Sequence, residues 1–151
     1  MTILDTNVLS EVVKPRPEPV VMEWLSLQAF HDVYLTSITM AEVLHGLERM
    51  PAGKRRAALK VAVEGLFQHE FAGRILPFDE MAALNYGQLV TEREKAGRPM
   101  QPFDAQIAAI ARQHGATVAT RNTPHFEQSG VALVNPWDGL EPATTSLRSA
   151  P

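Results

Sequence analysis

With 151 residues, 45% of them hydrophobic and 21% charged, the chain has the length and composition of one folded domain with a core of ordinary size, not of a disordered segment. The absence of cysteine excludes disulfides, thiolate metal sites and cysteine nucleophiles, and fits a cytoplasmic protein. A formal net charge of −3 gives no molecule-wide attraction to nucleic acid, so any such binding needs a local basic patch.

Five short apolar runs read as strands: Thr2 to Leu4, Val33 to Thr36, Arg74 to Phe78, Thr117 to Thr120 and Val131 to Val134. Helical spacing fills the intervals. Pro15, Pro17 and Pro19 precede a stripe of Val20, Trp24 and Leu27. Val43 and Leu47, with Met50 one turn on, form a second stripe, and Leu59, Val63 and Leu66 or Phe67 a third. Met81, Leu84 and Leu89 form the fourth and Ile107, Ile110 and Ala111 the fifth, with Gly97, Pro99 and Pro102 between them. Gly115 after His114 closes the last helix. Strands alternating with helices predict an α/β domain whose parallel sheet is covered on both faces. The domain is placed at residues 1–140, with 141–151 a small, polar, frayed tail. No run approaches the ~20 apolar residues of a membrane span. The first residues lack the basic stretch, apolar core and cleavage site of a signal peptide.

Ligands of an open parallel sheet bind beyond the carboxyl ends of its strands, so the polar residues there are the candidates. Asp5 follows strand one, Glu42 lies in the first turn after strand two, Asn122 follows strand four, and Asp104 opens the helix leading into strand four. Each has a plain structural use: Asp5 as a helix N-cap, Glu42 in a capping box with Thr39, Asp104 as a complement to its helix dipole, Asn122 in a turn. Three carboxylates converging at one edge would raise one another's pKa unless a cation sat among them. With oxygen ligands only, that cation would be Mg²⁺ or Mn²⁺, held at about 2.0–2.2 Å, a chemistry suited to phosphodiester hydrolysis.

The segments "ILDTNVLSE", "SITMAEVLHGL", "PFDAQIAAIARQHGATVATRNTPHF" and "NPW" together resemble PIN-domain proteins, and among them the VapC/FitB-type toxins of bacterial toxin–antitoxin modules. The likeness runs from residue 2 to about 138. It implies a five-stranded parallel sheet in the order 3-2-1-4-5 and a Mg²⁺- or Mn²⁺-dependent endoribonuclease. It implies a small DNA-binding antitoxin of VapB/FitA type, which charge complementarity places in a groove near the acidic edge, and a toxin that forms a homodimer. Asp5, Glu42 and Asp104 match the family's acidic cluster, and Thr6 and Asn7 the residues after its first aspartate, with Asn7 orienting carboxylates. Asn122 stands where many relatives carry a fourth acid. It can ligate but brings no charge, which leaves Thr120 and Asn122 as residues that position water or metal.

Other residues have competing roles. Glu11, two turns or less beyond Asp5, is a surface helical glutamate or a further acid approaching the cluster, and His125 is a loop histidine that packs locally or contacts RNA. Arg121 is a phosphate fork or a plain surface arginine. Trp24 and Trp137 are core or interface anchors. Lys54-Arg55-Arg56 and the group Arg93, Lys95 and Arg98 are basic patches or solvated helix ends. A non-catalytic PIN-fold module that binds RNA or protein is the alternative to the nuclease. A small-molecule phosphatase lacks its glycine-rich loops and D-x-D pair.

Overall fold

The computed structural model describes residues 1–139; the expected tail at 141–151 and the domain boundary at 140 lie outside them. Strand β1 (Thr2–Leu4) leads into helix α1 (Thr6–Val13) and, past the prolines, α2 (Pro19–Ser26). Strand β2 (Val33–Thr36) is followed by α3 (Ser37–Arg49) and α4 (Lys54–Gly65), and β3 (Ile75–Leu76) by α5 (Glu80–Lys95) and α6 (Pro102–His114). Strand β4 (Thr117–Ala119), the one-turn α7 (Thr123–Phe126) and β5 (Ala132–Val134) complete the order. All neighbouring strands are parallel, in the order β3-β2-β1-β4-β5, as the resemblance implies.

β1 is central, and its alternation divides the core. Leu4 joins Val8, Leu9, Val21, Trp24, Leu35 and Val63 under α1 to α4, whereas Ile3 joins Leu89, Ile107, Ile110, Val118 and Phe126 under α5 and α6. Two-sided burial is what makes such strands continuous apolar runs. Gly115 adopts a left-handed φ of 59° at the end of α6, the conformation only glycine takes freely.

Some expectations fail, each for a packing reason. Met81 and Leu84 are exposed; α5 buries Leu89 as expected, but with Ala82 and Arg93, because a small residue lets it lie close against α6. Leu27 is exposed at the end of α2, where Val21 and Trp24 face inward. Strand three shrinks to two residues, although the Arg74 carbonyl still accepts from Leu35 N. Strand four stops at Ala119, yet Thr120 N continues the ladder to the Val134 carbonyl at 2.9 Å. Arg93 is no part of a surface basic patch: it is buried. Lys54 and Arg55 are exposed, in the first turn of α4.

Candidate active site

Asp5 is delivered by the central strand and doubles as the N-cap of α1, with extended backbone (φ −72°, ψ 161°). Both of its carboxylate oxygens are occupied. Oδ1 accepts from Thr6 N at 2.8 Å; Oδ2 accepts from Asn7 Nδ2 and from Thr120 Oγ1, each at 2.7 Å. Thr120 is fully buried and accepts in turn from Asn122 N at 3.0 Å and Asn7 Nδ2 at 3.2 Å. Asn7 Oδ1 accepts from Arg121 N at 3.1 Å. The start of α1 and the end of β4 are thus locked together by the side chains of Asp5, Asn7 and Thr120.

Glu42 enters from α3. That helix begins one turn earlier than the capping box required: Thr36 caps it by accepting from Thr39 N at 3.0 Å. Glu42 is therefore released from a capping duty and instead accepts from Thr6 Oγ1 at 2.5 Å. Asp104 lies in the first turn of α6, with Oδ2 3.1 Å from His125 Nδ1. His125 does pack locally, and its partner is this acid.

The carboxylates sense one another. Burial pushes the Asp5 carboxyl above its ordinary value, hydrogen bonds from Thr120, Thr6 and Asn7 oppose the rise, and the charge of Asp104 adds to it. Glu42 is likewise raised, first by burial and then by the fields of Asp5 and Asp104, against the bond from Thr6. Among the described residues no group of three or more acids or histidines is arranged to hold a metal ion. The three acids share one corner, where the Asp104 charge reaches Asp5 and the charges of both reach Glu42.

Of the remaining candidates, Asn122 is exposed at the start of α7, makes no side-chain cap there, and joins the corner through its backbone N–H. Arg121 holds the edge through its own N–H while its guanidinium lies over the Trp137 ring, 5.2 Å from the centroid. Trp24 and Trp137 both pack on the core. The surface reading of Glu11 is overturned. Glu11 is 2% exposed, accepting from Lys14 Nζ at 2.5 Å and Glu18 N at 3.0 Å. Burial pushes its carboxyl up, but those two donors and the charges of Lys14 and Arg121 outweigh this and hold it below the usual range. Its spacing of three from Lys14, just before Pro15, was the available signal.

Together these features define an α/β protein with an acidic corner at the carboxyl edge of its central strand. The chain belongs to the PIN domain family, whose profile matches residues 2–129. It is 43% identical over 138 residues to the VapC ribonuclease Y4jK of Sinorhizobium fredii, a match covering 91% of this chain and 99% of the relative. It is 43% identical over 137 residues to the toxin FitB of Neisseria gonorrhoeae, covering 91% and 99%. Among solved structures, a chain of FitAB bound to an IR36 DNA fragment superposes with a TM-score of 0.88 at 43% identity, covering 95% and 99%.

Proposed function

We propose that this protein is a Mg²⁺- or Mn²⁺-dependent endoribonuclease acting as the toxin of a toxin–antitoxin pair. The observation that carries the proposal is the corner of Asp5, Glu42 and Asp104, three acids from three elements at the sheet edge, where the charge of Asp104 reaches Asp5 and the charges of both reach Glu42. The names of the VapC and FitB relatives support the activity and the biological role.

The donor set fits a hard divalent ion: all three acids offer carboxylate oxygen, and the site contains neither thiolate nor paired imidazole. When bound, the ion supplies Lewis acidity to a water molecule and charge neutralisation to the scissile phosphate. The side chains do the rest. Asn7 and Thr120 hold Asp5 in one orientation, Thr6 holds Glu42, and His125 holds Asp104. Each acid is thereby kept from swinging to solvent, so little reorganisation accompanies substrate binding. Of the two residues expected to position water, Thr120 is buried and engaged by Asp5, Asn7 and Asn122, so the exposed Asn122 side chain would take that role.

A partner chain follows from the same reading, supported by the solved FitAB assembly on DNA. Its place is a groove of about 490 Å³ between α1, α3 and α4 that starts at Thr6 and is walled by Val13, Val43, Leu47 and Val63. An apolar segment bearing one arginine or lysine would fill the groove and neutralise the corner. The toxin would act in the cytoplasm as a homodimer; no helix among the described residues is long and apolar enough to cross a membrane.

The deciding experiment is cleavage of a total RNA pool by purified, antitoxin-free protein with Mg²⁺ or Mn²⁺, with excess chelator, and with the Asp104→Asn variant. Discrete fragments that disappear with chelator and with the variant are expected. Folded protein that binds RNA but cuts nothing in any lane would replace this reading with the non-catalytic binding module.

A further inference from the structure

Arg93 is a buried cation without a counter-ion. Only 4% of it is exposed, and its terminal nitrogens donate to two backbone carbonyls, those of Glu127 and, at 3.5 Å, His125. Its Nε has no partner, and none of the ion pairs among the described residues includes it. A charge removed from water is costly until something of opposite sign reaches it.

Arg93 lines a cleft of about 460 Å³ with Arg98, Gln101, His125 and Glu127. Gln101 also precedes α6, a 13-residue helix that begins without a side-chain cap, so unclaimed N–H groups and the positive end of the helix dipole lie at the same rim. His125 joins the cleft to the acidic corner, since its Nδ1 is 3.1 Å from Asp104 Oδ2. Two carboxylates oppose an anion here: Asp104 behind His125, and Glu127, whose Oε2 is 3.4 Å from Arg98 Nη1. The Arg98–Glu127 pair is half exposed on both sides, at 52% and 51%. Pairs so exposed are weak, and Arg98 is free to exchange Glu127 for a phosphate, whose oxygens suit its fork of donors.

We propose that this cleft is a subsite for a backbone phosphate of the RNA strand next to the scissile bond, gripped by Arg98 and Gln101 in the field of Arg93. The proposal rests on the endoribonuclease reading. It explains how a protein of net charge −3 holds a polyanion against its own acidic corner: the positive charge is local and adjacent. The strand then enters across the face formed by the end of α5 and by α7.

The test is binding of a short, unstructured, fluorescent oligoribonucleotide in excess chelator, followed by anisotropy across a salt series. Arg98→Ala should weaken binding about 3- to 10-fold and reduce the slope of log affinity against log salt by about 0.7, the signature of one lost single-strand phosphate contact. Glu127→Gln should tighten binding about threefold by removing the competing carboxylate, a gain that misfolding cannot produce. Unchanged affinity and slope in both variants, with a parent protein that binds and cuts RNA, would overturn the subsite and leave the nuclease standing. A parent protein that neither binds nor cuts RNA would overturn both.

Discussion

The Asn7 amide nitrogen donates toward Asp5 and Thr120, which lie side by side, and its carbonyl oxygen accepts from the Arg121 backbone. No rotamer change is open to it without breaking one of these bonds. Thr120 is engaged three times, and Thr120→Val, nearly equal in shape, would take one of two donors from Asp5 Oδ2, leaving it Asn7 alone, and deprive Asn122 N of its acceptor. We expect a loss of about 2 kcal/mol in a urea melt, with the m-value unchanged. The same saturation separates the three acids as sites for mutation. An amide at Asp5 would set donors against Asn7, so Asp5→Asn does not simply relieve repulsion. Glu42→Gln keeps an oxygen for Thr6 and removes only charge. Because burial and its neighbours raise the Glu42 carboxyl, the charged form is disfavoured in the fold, and the parent loses stability as pH climbs from the ordinary carboxylate range through that raised value. Glu42→Gln should therefore be more stable than the parent at pH 7 in metal-free buffer, by on the order of 0.5 kcal/mol after solvent screening. The gap should close at pH 4. Thermal melts at the two pH values check this; a gap of the same size at both would remove the electrostatic explanation.

At the scale of elements, Glu11 is a clasp between helices. From α1 it binds Lys14 at the helix end and the N–H of Glu18 at the start of α2, spanning Pro15 and Pro17. Its carboxyl is held low, so its stabilisation is present above the ordinary glutamate pKa and fades as pH falls through the depressed one. Glu11→Gln should cost about 1.5 kcal/mol at pH 7, less with each step into acid, as read from denaturant melts across that range. The same scale shows what was legible in the sequence. Five strands and the helices between them follow from apolar runs and from proline and glycine punctuation, because those signals are local. The buried face of α5 was hidden, since hydrophobicity favours Met81 and Leu84 over Ala82, while contact with α6 favours the smaller side chain. The acids were legible individually, each just past a strand or opening a helix. Their partners were not: Thr6 with Glu42, Thr120 with Asp5 and His125 with Asp104 are 36, 115 and 21 residues apart, and hydrogen bonds over such spans leave no periodic trace. Glu11 and Arg93 escaped for a related reason, since charged residues are rarely buried unless paired.

Across the whole molecule, one three-residue strand connects both cores and the acidic edge. Ile3 is fully buried between β2 and β4 in one core layer, and Leu4 in the other. Ile3→Ala should cost about 3–4 kcal/mol, a large share of the roughly 5–15 kcal/mol that holds such a domain together. Calorimetry should show a single transition shifted down by about 8–14 °C, with any RNA cleavage lost at the same temperature as the fold. The direct connection between core and corner also orders events in time. Asp5 leaves the ribosome 115 residues ahead of Thr120, an interval of about ten seconds at ordinary rates of synthesis. Throughout it the first aspartate has neither its threonine nor the strand that carries it, and Asp104 is itself made late. If the proposed activity holds, a nuclease built in this order would be inactive while it is being translated, because its acidic corner is complete only once Asp104 and Thr120 have both been made.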